Sequence, residues 1–172
     1  VRGILDVPPP FVESQIDAIA VDIGVDAMKT GMLFSAGIIE AVSGRIEQYS
    51  IGNVVVDPVM VATSGDMLLR PDAVDAMKKW LLPLALVVTP NRREAEVLAG
   101  MEIATDEDVR EACKRIFGCG PRNVLVKGGH STGEAVDWFY DGHEMTSLSA
   151  ERVATSNTHG TGCTLSAAIA AH

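Results

Sequence analysis

The stretch N-T-H-G-T-G-C-T-L-S-A-A, residues 157–168, sets two glycines, a threonine and a cysteine ahead of a run of small, helix-forming residues. Glycine lets a backbone approach a ligand with no side chain in between. A helix start adds unpaired N–H groups and the positive end of the helix dipole. Gly160, Thr161 and Gly162 therefore suit an anion such as a phosphoryl group. The plainer alternative is a glycine-rich turn. The chain holds no G-x-x-x-x-G-K-[ST], so it is not a P-loop protein.

Cys163 admits several uses. A first-turn thiol is favoured as thiolate by the helix N-terminus. A phosphatase-like nucleophile would want an arginine about six residues on, where Ile169 stands. The cysteines are Cys113, Cys119 and Cys163, an odd number at no zinc-like spacing, which argues against a disulfide or a zinc site. His159 is a weak companion for a metal. A proton acceptor beside a phosphate turn and a small packing residue both stay open.

Other candidates stand at the ends of apolar runs. Lys127 closes R-N-V-L-V-K-G-G and can neutralise phosphate oxygens, or can be a snorkelling strand-end lysine. Asp57 precedes Pro58 and can ligate Mg²⁺, or can be a turn aspartate. Asn91 and Glu94 lie one helical turn apart and can share a metal-water shell, although a helix cap suits Asn91 better. His130 and His143 read as loop residues. Met28, Met32, Met60 and Met67 read as core and pocket lining. Cys113 reads as core packing.

The elements that must position these residues alternate as helix and strand. A helix over residues 11–23 would turn Val12, Ile16, Ile19, Ala20 and Ile23 to one face. A second, capped by Ser35, would bury Ile38, Ile39, Val42, Ile46 and Tyr49. Residues 53–60, 84–91 and 122–129 are short apolar runs ended by proline or glycine, as in buried parallel strands. Helices are expected over 70–82, with Pro71 near the start, and over 93–100, closed by Gly100. Another follows Thr105, which forms a capping motif with Asp108. Residues 135–148 alternate about Asp141-Gly142 as a β-hairpin, and 160–172 form an alanine-rich helix. The expected fold is α/β: a doubly wound, mostly parallel sheet with helices on both faces and ligands at the carboxyl strand ends.

Composition narrows the partners. The chain has 172 residues, 47% hydrophobic, with a formal net charge of −9. That is enough for one domain with a core. The charge would repel nucleic acid and anionic lipid. No apolar run nears the roughly 20 residues of a membrane span. No leader pattern is visible, and the cysteine usage fits a reduced, cytoplasmic setting. Both ends look cut, as in an internal portion of a longer chain.

The stretches G-I-L-D-V-P-P-P-F-V, D-A-M-K-T-G-M-L, V-V-V-D-P-V-M, T-P-N-R-R-E-A-E, V-L-V-K-G-G-H and T-H-G-T-G-C together resemble the hydroxymethylpyrimidine/phosphomethylpyrimidine kinases of thiamine biosynthesis. These belong to the ribokinase-like superfamily. The resemblance covers nearly the whole chain and implies one partial ribokinase-like domain over 1–172, lacking an N-terminal strand with its pocket segment and the C-terminal helices. It implies ATP and Mg²⁺ as cofactors, a small pyrimidine substrate and a homodimer. By the same resemblance Cys163 is the catalytic base, and Gly160, Thr161 and Gly162 form the anion hole. Lys127 touches nucleotide phosphates, with Asn91 and Glu94 on the cofactor side. Asp57 and Glu94 organise Mg²⁺, while Met32 and Val59 line the pyrimidine pocket. Pyridoxal-type kinases share this architecture and are the alternative, with a non-catalytic binding remnant as a second.

Overall fold

The computed structural model describes residues 3–60, 68–128, 135–151, 154–155 and 159–172. Its elements run α1 (Pro9–Asp22), β1 (Met28–Thr30), α2 (Ala36–Gln48), β2 (Val54–Val56), α3 (Pro71–Ala76), β3 (Val87–Val88), α4 (Arg92–Ala99), α5 (Asp106–Phe117), β4 (Val124–Val126), β5 (Ala135–Tyr140), β6 (Met145–Ala150) and α6 (Thr161–Ala171). The six strands form one sheet in sequence order. Strands β1 to β4 are parallel. The β5–β6 hairpin is antiparallel and extends the sheet beyond β4.

Each parallel strand lies beside the next, so successive right-handed crossovers return on the same side. Helices α2 to α5 therefore share one face, where Ile39, Ala73, Leu98 and Ile116 pack on Val54, Val56, Val88 and Val124. The other face belongs to α6, whose Leu165, Ile169 and Ala170 meet Val55, Val87 and Leu125. Two-residue alternation along the strands separates these sets. The doubly wound arrangement thus holds among the described residues, with an uneven share of helices.

Several elements depart from the sequence expectation. Strand β1 was not foreseen: it has three residues, two of them polar. Strand β3 is limited to Val87–Val88 because Leu84 belongs to a 3₁₀ turn. The helix expected over 70–82 is α3 followed by a π turn over Met77–Leu81. Pro83 follows after Leu82, and its missing N–H disrupts regular α-helical bonding there. Ser35 occupies the N-cap of α2 without a side-chain capping bond. No residue of α1 is buried. Val12 and Ile16 pack against the core, but Ile19 is 53% and Ile23 81% exposed. Met67 and His130 lie outside the described residues.

Two helices carry reciprocal capping boxes. Thr105 and Asp108 start α5, and Asn91 and Glu94 start α4. Cys113 on α5 is fully buried, and burial pushes its thiol up to about 12, so it is an inert packing group.

Gly128, just past β4, is where a side chain has no room, because an added Cβ would overlap the Val136 carbonyl of β5. Gly44, in the middle of α2, has nothing within 4 Å of an added Cβ. Gly128→Ala should cost about 3 kcal/mol or more, because backbone must move. Gly44→Ala should gain about 1 kcal/mol, or roughly 2–4 °C in Tm. Thermal unfolding of both variants reads the pair, and an unaltered Tm for Gly128→Ala would contradict the close strand approach.

Candidate active site

The parallel strands end on a layer of polar groups. Val55, Val87 and Leu125 face α6, so the residues two further on, Asp57, Thr89 and Lys127, project to that same face. Lys29 is the register partner of Val55 and joins them. Asp57 is 2% exposed. An isolated buried carboxylate costs several kcal/mol, so partners are required. Lys127 Nζ lies 3.1 Å from its Oδ1, Lys29 Nζ lies 3.7 Å from its Oδ2, and Ser166 Oγ on α6 is 3.1 Å from Oδ2. Strands β1 and β4 and helix α6 thus converge on the end of β2.

Glu94 sits on the next strand-to-helix turn. Its Oε2 accepts the Asn91 N–H at 2.8 Å, and its Oε1 accepts the Met60 N–H at 3.1 Å. The Asn91 side chain accepts in return from the Glu94 N–H at 3.0 Å. Asn91 is therefore a helix cap first. Met60 can reach Glu94 because the chain after Asp57-Pro58 folds back through Val59, whose φ is 42°. A β-branched residue in that region is strained by about 1–3 kcal/mol.

The glycine turn faces this cluster. Gly160 caps α6 with φ 83° and no side-chain bond. Its carbonyl accepts from the Thr164 N–H at 2.9 Å. Thr161, Gly162 and Cys163 fill the first turn of α6, at the positive end of the helix dipole. An added Cβ on Gly162 would stand 3.0 Å from Lys127 Nζ, so this glycine lets the lysine reach the turn. The Cys163 thiol is exposed. Met32, at 39% exposure, and half-buried Val59 lie on the loops after β1 and β2, at the same end of the sheet.

The structure thus gathers Asp57, Lys127 and the 160–163 turn, with Glu94 close enough to Lys127 and Asp57 for their charges to act on it. Lys29 and Ser166 were not foreseen. Lys29 carried no signal because β1 is too short and polar to read as a strand. Ser166 was hidden among the small residues of α6.

Among the described residues no group of three or more His, Cys, Asp or Glu could hold a metal. Two carboxylates do suit a magnesium ion that arrives with a polyphosphate and keeps its waters. The Thr89 hydroxyl, fully buried and without a hydrogen-bond partner among the described residues, fits a hydrated ligand at this layer.

The family model of phosphomethylpyrimidine kinase matches residues 1–172. The chain belongs to the phosphomethylpyrimidine kinase family. It is 50% identical over 173 residues to the hydroxymethylpyrimidine/phosphomethylpyrimidine kinase of Rhizobium meliloti, covering 99% of this chain and 65% of that one. A pyridoxal kinase of Bacillus subtilis, solved with ADP, superposes with a TM-score of 0.89 at 40% identity, over 98% of this chain and 63% of that one. A phosphomethylpyrimidine kinase structure from Clostridium difficile gives 0.83 at 37%, over 98% and 68%. The fold is thus that of these kinases. The chain spans 65% of the length of the Rhizobium meliloti kinase and 32% of that of a probable thiamine biosynthetic bifunctional enzyme of Oryza sativa. No described helix is long and apolar enough to cross a membrane.

Burial raises the Glu94 carboxyl above its ordinary value of 4.5, against the lowering effect of its backbone bonds and of Lys127. A raised carboxyl favours folding most when protonated. Its contribution is fully present below 4.5 and is lost as pH rises through the higher folded value. A carbon-13 NMR titration should place the Glu94 midpoint above 4.5, and a midpoint at or below it would contradict the dominance of burial.

Proposed function

We propose that this protein transfers the γ-phosphoryl group of ATP to 4-amino-5-hydroxymethyl-2-methylpyrimidine, and then to its monophosphate, in thiamine biosynthesis. The observation that carries the reading is the meeting of the Lys127–Asp57 pair with the first turn of α6 at the carboxyl ends of the parallel strands. Membership of the phosphomethylpyrimidine kinase family supports this reading of it.

Phosphoryl transfer needs alignment and charge neutralisation more than covalent help. The backbone N–H groups of Gly160, Thr161, Gly162 and Cys163 would hold the oxygens of the moving group. Lys127, already beside Gly162, would turn part of its charge to the nucleotide phosphates while Lys29 stays with Asp57. Asp57 and Glu94 would hold Mg²⁺ through water, with Asn91 fixing Glu94. Bound magnesium would supply positive charge to the β- and γ-phosphates. Met32 and Val59 would flank the pyrimidine. Cys163 would take the hydroxymethyl proton while the alcohol oxygen bonds to the γ-phosphorus and the bond from that phosphorus to the β-phosphate oxygen breaks, releasing ADP. In the second round a phosphate oxygen is the acceptor.

Pyridoxal is the second candidate acceptor, favoured by the 0.89 superposition on the Bacillus subtilis pyridoxal kinase. The same reading sets the protein in the cytoplasm, where its free cysteines Cys113, Cys119 and Cys163 stay reduced. As in the family it resembles, the active form would be a homodimer.

The test is steady-state kinetics of Cys163 variants of the whole protein. Cys163→Ala should keep Mg-ATP binding, because the backbone donors survive, and should lose about 10²–10⁴ in kcat. Cys163→Asp should recover part of it, since a carboxylate can take the same proton. An unchanged kcat in the alanine variant would leave Cys163 as surface packing, and a phosphocysteine on the reaction path would make it a nucleophile.

A further inference from the structure

Ser166 lies one turn beyond the 160–163 turn and is fully buried. Three acceptors stand 3.1 Å from its Oγ: Asp57 Oδ2, Gly162 O and Cys163 O. A serine hydroxyl has one proton to give. Both carbonyls can already accept helical N–H groups from four residues on. The Asp57 oxygen is charged and buried, and its other neighbour, Lys29, is 3.7 Å away. A charge-assisted bond is about twice as strong as a neutral one, so the carboxylate takes the proton.

That bond matters because of what else holds α6. Leu165, Ile169 and Ala170 lie on Val55, Val87 and Leu125, an apolar contact without directional preference. Such a contact sets how close the helix sits to the sheet but leaves sliding along its axis weakly determined. The hydrogen bond between Ser166 and Asp57 is directional and joins α6 to the end of β2.

We infer that Ser166 is a positioning residue, whose hydroxyl pins the first turn of α6 to Asp57 and so sets the span between the anion-binding backbone and the metal-side carboxylate. Its consequence for turnover rests on the phosphoryl-transfer reading above. A displacement of about 1 Å between such groups can cost about 10²-fold in rate. Because Ser166 touches neither substrate nor nucleotide in this reading, it acts through Asp57 and the turn.

The experiment pairs Ser166→Ala with Asp57→Ala in the whole protein. Alanine is the best helix former, so Ser166→Ala should fold. With Mg-ATP and the hydroxymethylpyrimidine, Ser166→Ala should lower kcat about 10-fold and leave both KM values within about twofold, because a misaligned transfer costs more in the transition state than in binding. Unfolding without any ligand supplies the independent arm. Ser166→Ala should lower Tm in the wild-type background and change it far less in Asp57→Ala, since the pin is already gone. Should Asp57→Ala not fold, Asp57→Asn replaces it, with a smaller coupling of the same sign. Additive Tm changes overturn the pin, whatever the protein phosphorylates. Coupled Tm changes with an unaltered kcat overturn the positioning role. A wild-type protein inert toward the pyrimidine overturns the phosphoryl-transfer reading alone, leaving the Tm cycle to decide the pin.

Discussion

One buried carboxylate organises this end of the molecule. Asp57 is almost wholly withdrawn from water at the end of β2, and a charge so placed must be paired. Its partners come from three other elements: Lys29 from β1, Lys127 beyond β4 and Ser166 from α6. Because each partner is anchored in a different part of the fold, satisfying Asp57 also brings the glycine turn, the lysines and the strand ends together. The two lysine side chains stay partly exposed, at 21% and 16%. In the proposed reaction this local positive supply would offset the overall charge of −9 for an anionic nucleotide.

A second carboxylate shows how local chain geometry is recruited for the same purpose. Glu94 closes the capping box of α4 and also reaches across to the Met60 N–H. That reach depends on the positive φ of Val59, a conformation a β-branched residue adopts only when its surroundings hold it there. The α4 cap and the loop after β2 are thereby coupled through one side chain. In the functional reading, the strain at Val59 is balanced by fixing a carboxylate beside the phosphate site.

Much of the framework was readable from local pattern. The Val54–Val56 and Val124–Val126 strands are continuous apolar runs, and the caps at Thr105 and Asn91 obey short-range rules, so neighbouring residues sufficed. The misses have a shared physical origin. Strand β1 is held by pairing with β2 while its own residues, Met28, Lys29 and Thr30, give little strand signal. The π and 3₁₀ turns before β3 arise where Pro83 meets a packed helix end. Helix α1 has the apolar spacing of a buried face, yet Ile19 and Ile23 remain exposed among the described residues. Ser166 acquires its meaning only when α6 crosses the sheet to Asp57, 109 residues away in sequence. Asp57 and Lys127 stand out in the sequence by strand-end position alone, and the contact that joins them is tertiary.

In the proposed reaction this cluster serves transfer to a pyrimidine alcohol. The most direct measurement presents hydroxymethylpyrimidine, its monophosphate and pyridoxal side by side to the whole protein with Mg-ATP, following ADP release and the phosphorylated products. Both pyrimidines should turn over, with kcat/KM for hydroxymethylpyrimidine at least about 10-fold above that for pyridoxal, the discrimination of roughly 1.4 kcal/mol in transition-state binding that a shaped pocket readily supplies. Efficient phosphorylation of pyridoxal with neither pyrimidine accepted would contradict it.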